Sequence, residues 1–93
     1  MDFEWDDDKA EANTRKHGVT FSEAMTVFGD SVSDTGYDPK HADDEDRFLT
    51  MDTSLAGRLL VVSHTDRGDW IRVISARVAT RRERKDYEDG HFP

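Results

Sequence analysis

The cations of this chain are unevenly placed, and their types suit chemistry on phosphate. Residues 58–85 carry 8 Lys/Arg against 3 Asp/Glu, whereas residues 1–57 carry 5 against 15. The basic stretch holds Arg58, Arg67, Arg72, Arg77, Arg81, Arg82 and Lys85. A guanidinium is a planar fork that donates two parallel hydrogen bonds to phosphate or carboxylate oxygens. His64 lies within the stretch and Tyr87 just beyond it, and both side chains can transfer protons. One basic surface on an acidic body would attract a polyanion. The competing reading is an ordinary solvated surface whose charge happens to be uneven.

Other chemistries find little support. There is no cysteine, so disulfides and thiolate zinc sites are excluded. His17, His41, His64 and His91 show no paired ligand spacing. Asp43-Asp44-Glu45-Asp46 lacks the alternating oxygens and central glycine of a calcium loop. No metal and no cofactor are therefore expected. The longest apolar run, Leu59-Leu60-Val61-Val62, is too short to span a membrane, and the acidic start Met1-Asp2-Phe3-Glu4 is unlike a signal peptide. A cytoplasmic protein without a membrane partner is the expectation. The net charge of −8 runs against direct nucleic-acid binding by the chain as a whole.

The elements that must position these residues fit one domain over residues 1–93. Phe3 and Trp5 alternate with acids, as in a short first strand. Asp6-Asp7-Asp8 supplies an N-cap and first-turn negative charge for a helix running to about His17, with Gly18 ending it. Thr20-Phe21-Ser22-Glu23 reads as a capping box, with Val19 and Ala24 as its hydrophobic staple. Phe21, Ala24, Met25 and Phe28 follow the spacing of a buried helix face. Residues 31–46 read as an exposed strand and loop. Strands follow at Arg47–Met51, Arg58–Thr65 and Trp70–Arg77, the last two joined by a hairpin over residues 66–69. Thr80-Arg81-Arg82-Glu83 opens a short basic helix that Gly90 ends. The expected fold is α+β: two N-terminal helices, an antiparallel sheet of about four strands and a short C-terminal helix. With the loop at 66–69, His64, Arg77, Arg58 and Ser75 would share one face of the sheet.

The ordered motifs of the chain resemble the BrnT family. Phe3-Glu4-Trp5-Asp6, Lys9, Asn13, Lys16-His17-Gly18-Val19 and Phe21 carry the opening of that likeness, and Glu23-Ala24 and Val27-Phe28 continue it. His41, Glu45, Arg47 and Phe48 match its loop and strand. Gly57-Arg58-Leu59-Leu60-Val61-Val62, His64-Thr65-Asp66-Arg67 and Ile71-Arg72-Val73-Ile74-Ser75-Ala76-Arg77 match its core. Ala79, Arg82-Glu83 and Tyr87-Glu88 match its last helix. The resemblance implies a RelE-like fold and a ribonuclease toxin that blocks translation. It also implies a BrnA antitoxin with a ribbon-helix-helix domain, the complex repressing its own operon. DNA would then be reached only through the antitoxin.

On that resemblance, the expected catalytic residues are Arg77, His64, Arg67 and Arg47. Arg77 would stabilise charge on the phosphorane, His64 would move a proton, and Arg67 and Arg47 would position the phosphate. Arg58, Arg72, Arg81, Arg82, Lys85 and Tyr87 would contact RNA. Structural alternatives stand beside these roles: an ion pair for Arg77 or Arg47, a hydrogen-bonded strand residue for His64, an ordinary hairpin tip for Arg67, a solvated helix surface for Arg81, Arg82 and Lys85, and core packing for Tyr87; Lys16-His17 fits helix-dipole compensation. Two rival functions remain at this point. One is a non-catalytic binding module acting only as co-repressor partner of the antitoxin. The other is a direct DNA-binding regulator, disfavoured because no helix-turn-helix pattern is visible.

Overall fold

The computed structural model describes residues 2–29, 34–37 and 46–92. His41 and the acidic residues Asp43, Asp44 and Glu45 lie outside them. In chain order the elements are β1 (Asp2–Glu4), α1 (Asp7–His17), α2 (Phe21–Met25) with a 3-10 turn (Thr26–Gly29), β2 (Asp34–Tyr37), β3 (Phe48–Thr53), β4 (Leu59–Arg67), β5 (Trp70–Val78) and α3 (Arg81–Glu88). The strands form one five-stranded sheet in the order β1-β5-β4-β3-β2. The architecture is the expected α+β class with one more strand, and the sheet is mixed because β1 runs parallel to β5.

Local signals explain the helix ends. Asp6 accepts from Lys9 N at 3.0 Å, which satisfies one orphan donor of α1. Gly18 leaves α1 with φ +68°, a left-handed conformation that glycine adopts without a Cβ clash. Thr20 accepts from Glu23 N at 3.0 Å, but the reciprocal half of that expected capping box is missing. The Glu23 carboxylate is taken instead by Arg58 and by the Ser54 hydroxyl. At α3 both halves are present: Glu83 N donates to Thr80 Oγ1 at 3.1 Å and Thr80 N donates to Glu83 Oε1 at 2.9 Å.

The main core lies between β4 and β5 and the helices. It consists of Val19, Phe21, Ala24, Val27, Leu60, Val62, Val73 and Ala76, with Phe3, Trp5, Ala10 and Phe28 packed against it. Met25 was expected inside but is exposed, and Val27 takes its place. The backbone tightens from α-helix to 3-10 at Thr26, which rotates the apolar face by a fraction of a turn. A smaller cluster on the opposite side joins Met51, Leu59 and Val61 to Leu49, Ala79, Tyr87 and Phe92. No described helix is long and apolar enough to cross a membrane.

Asn13 closes a gap that the short first strand leaves. β1 pairs only with residues 70–72 of β5, so Ala76 has no strand partner on that edge. The Asn13 carboxamide supplies one: Nδ2 donates to Ala76 O at 2.8 Å and Oδ1 accepts from Ala76 N at 3.1 Å. Nδ2 also donates to Val19 O at 2.9 Å. A buried amide thus docks α1 to the sheet and satisfies backbone groups that would otherwise be orphaned.

Candidate active site

Register decides which side chains meet. On β4, Leu60, Val62 and His64 point to the helix-covered side, and Leu59, Val61, Ser63, Thr65 and Arg67 point to the other. On β5, Arg72 pairs with Thr65, Ser75 with Ser63 and Arg77 with Val61. The register shifts between Ser63 and His64, where Ser63 pairs with Ser75 but His64 with Val73. Ile74 is the extra residue of this β-bulge. Arg72 and Arg77 would alternate to opposite faces on a regular strand; the bulge brings them to the same one.

The expectation that His64 and Arg77 share a face is therefore wrong. His64 and Arg58 lie on the helix side, and Arg77 and Ser75 lie on the other. The hairpin loop is Gly68-Asp69 rather than 66–69, and the bulge then moves the register by one more residue. His64 is 2% exposed and fully engaged. Its Nε2 lies 2.8 Å from Thr50 Oγ1, and its Nδ1 lies 3.0 Å from Asp66 Oδ1. Its ring meets Phe28 edge-on and stacks on Phe48. Burial lowers its pKa, against the opposing pull of Asp66. Arg58 ties the β3–β4 turn to α2 through Glu23 and donates to Gly18 O at 3.0 Å.

The face away from α1 and α2 is arginine-lined. Arg67, Arg72 and Arg77 stand over the hydroxyls of Ser63, Thr65 and Ser75, and Arg47 immediately precedes β3 on the side of Leu49. Thr65 Oγ1 and Arg47 Nε are buried and have no hydrogen-bond partner among the described residues. Unmet buried polar atoms are rare; with Asp52 Oδ2 these two are the ones found among the described residues. Trp70, half exposed at the hairpin end, pairs with Arg67.

Two carboxylates serve this face. Glu83 receives a bidentate grip from Arg77, with Nη1–Oε1 at 2.6 Å and Nη2–Oε2 at 2.7 Å. Arg77 holds the Glu83 carboxyl down to about 2, helped by the Thr80 amide. Glu4, on β1 beside Arg72, places Oε2 at 3.3 Å from Arg72 Nη1 and Oε1 at 3.9 Å from Arg67 Nη1. Neither Glu4 nor Trp70 is singled out by sequence reasoning: each acquires its neighbours only through strand pairing. Arg81 and Arg82 are exposed on α3, and Lys85 pairs with Asp89 at 3.4 Å. Tyr87 packs on the smaller cluster and donates to Asp52 Oδ1 at 3.0 Å. Lys9, Lys16 and His17 line a groove beside Ile74 and Ser75 at the edge of β5. Among the described residues, no group of three or more His, Asp or Glu converges as metal ligands would.

A family model described as "Ribonuclease toxin, BrnT, of type II toxin-antitoxin system" matches residues 5–83. The fold is similar to the 1.1 Å crystal structure of the Brucella abortus ribonuclease toxin BrnT, with a TM-score of 0.64 and 24% sequence identity. That similarity covers 87% of this chain and 99% of the Brucella chain. No curated protein sequence matches the chain at a significant level.

Proposed function

The chain belongs to the BrnT family of ribonuclease toxins from type II toxin–antitoxin systems, and we propose that it cleaves RNA on the open arginine face of its sheet. The observation that carries this reading is the convergence of Arg67, Arg72 and Arg77, with Arg47 at the margin, over Thr65 on a face the N-terminal helices leave free. The net charge of −8 does not oppose it, because these cations share one face.

The reaction that suits such a face is internal transesterification. The RNA 2′-oxygen attacks the adjacent phosphorus, the 5′-oxygen leaves, and a 2′,3′-cyclic phosphate and a 5′-hydroxyl result. Negative charge builds on the phosphorane oxygens, where guanidinium forks stabilise it most. Arg72 and Arg77 serve that charge, and Arg67 and Arg47 hold the flanking phosphates. Trp70 offers a ring on which a base stacks. Because the arginines supply the positive charge, cleavage proceeds without a metal. An oligoribonucleotide incubated with the purified protein, with and without EDTA, tests this. Equal cleavage in both, with cyclic phosphate ends, is expected. No cleavage, 5′-phosphate ends or full inhibition by EDTA would overturn it.

The partner of this reading is a BrnA-like ribbon-helix-helix antitoxin that covers the same face in the cytoplasm, the complex repressing its own operon. The exposed α3 cations Arg81 and Arg82 border that face and would contact antitoxin and RNA in turn. Expression of the chain alone should arrest growth, and coexpression of a cognate antitoxin should restore it.

A further inference from the structure

Cleavage by transesterification needs a base for the 2′-hydroxyl, and the histidine expected to serve lies on the wrong side of the sheet. His64 is buried against Phe28 and Phe48, with both ring nitrogens engaged. The carboxylates near the arginines differ in how far they are committed. Glu83 is held by two bonds from Arg77 and one from the Thr80 amide, and its low pKa makes it a poor base. Asp6 caps α1 through Lys9 N, and that bond lowers its pKa. Asp66 faces the helix side and binds His64. Glu4 alone among these stands between two arginines of the open face, with its side chain 34% exposed and its contacts at 3.3 and 3.9 Å.

We infer that Glu4 is the general base of the cleavage reaction, an assignment that rests on the ribonuclease reading of the arginine face. A lone carboxylate would repel the substrate phosphate. Flanked by Arg67 and Arg72, it can sit beside a bound phosphodiester without that penalty. The balance is simple. The proton of the 2′-hydroxyl passes to the Glu4 carboxylate, the 2′-oxygen bonds to phosphorus, and the P–O5′ bond breaks. The departing oxygen takes a proton from water, which the open face admits, and Glu4 returns its proton to solvent.

The test separates base from counter-ion. Single-turnover cleavage of a short RNA is measured beside affinity for its 2′-O-methyl analogue, which binds but has no nucleophile. Glu4→Gln keeps the shape and still accepts from Arg72. It should cleave about 100-fold more slowly or worse, while binding the analogue as tightly as the parent or tighter. If the amide variant does not fold, Glu4→Ala with added formate carries the test, since the small carboxylate should restore cleavage.

A folded Glu4→Gln that cleaves at the parental rate would overturn the assignment, as would absence of formate rescue. Parallel loss of binding and cleavage would reduce Glu4 to a counter-ion. Those outcomes leave the arginine face intact if Arg72→Ala is still defective. A wild-type protein that does not cleave would instead overturn the ribonuclease reading, and this assignment with it.

Discussion

Arg72 and Arg77 stand on one face of the sheet although five positions of β5 separate them, because Ile74 is an extra residue that opposes no partner on β4. The shared face is what lets two guanidinium groups act on one phosphodiester. Each arginine that contacts a phosphate releases counterions, and for single strands each contact adds about 0.7 to the slope of log affinity against log salt. Arg72→Ala and Arg77→Ala should therefore both weaken binding of 2′-O-methyl RNA and flatten that slope. Arg58→Ala should leave the slope unchanged, since Arg58 is tied to Glu23 on the helix side. Fluorescence anisotropy over a salt series measures all three. An equal effect of Arg58→Ala would mean that the charge acts diffusely rather than through this face.

Arg77 also anchors α3, and this gives the protein an acid-sensitive element. The Glu83 carboxyl is lowered from 4.5 to about 2 by Arg77. A depressed folded-state pKa stabilises the fold above the unfolded value and loses that contribution as pH falls through the folded one. The contribution should therefore be complete above about pH 4.5 and decline toward pH 2. Because both side chains are partly exposed, it is on the order of 1 kcal/mol. Urea unfolding of the parent and Glu83→Gln should differ at pH 6 and draw together only as pH falls to about 2. A gap that persists at low pH would assign the loss to the helix cap instead.

His64 should matter for stability and not for chemistry. Removing its ring leaves a gap between Phe28 and Phe48 and strips Thr50 and Asp66 of a partner. His64→Ala should cost about 2–4 kcal/mol in denaturant unfolding. Its folded molecules should still cleave RNA at the parental rate. Because burial lowers the His64 pKa, the folded parent should lose stability as pH drops below the ordinary histidine value of about 6.5. A folded His64→Ala with no cleavage would return this residue to the reaction.

Asn13 supplies a sharper stability test. Asn13→Ala leaves Ala76 and Val19 backbone groups buried without partners, a loss of about 3 kcal/mol. Asn13→Asp should be worse despite its closer shape, because it turns an oxygen toward two carbonyls that need a donor. Thermal melts of both variants rank them. An aspartate variant more stable than the alanine one would contradict the strand-mimic role.

The order of elements and most of the core are legible from periodicity, caps and turn residues. Asp6, Gly18, Thr20 and Thr80 mark their helix ends as their chemistry requires. What escapes is set by pairings between distant strands. Ile74 carries no local sign of a bulge, yet it decides that Arg77 joins Arg72 and not His64. β1 looks like any short amphipathic strand, and its parallel alignment places Glu4 beside Arg72. Val27 is buried and Met25 exposed, and the change from α-helix to 3-10 at Thr26 that aims Val27 inward has no local sign in the sequence. Arg67, Arg77 and Arg47 stand out in the sequence by residue type, whereas Glu4 and Trp70 acquire their neighbours only through strand pairing.

The single-turnover cleavage rate of one oligoribonucleotide by Arg72→Ala reads the role of the arginine face most directly. Arg72 pairs across the strand with Thr65, and its guanidinium lies beside Glu4 on β1. If the arginine face carries the reaction, Arg72→Ala folds and its rate falls by about 100-fold or more, as for loss of one preorganised donor to a developing oxyanion. A folded Arg72→Ala that cleaves at the parental rate would contradict it.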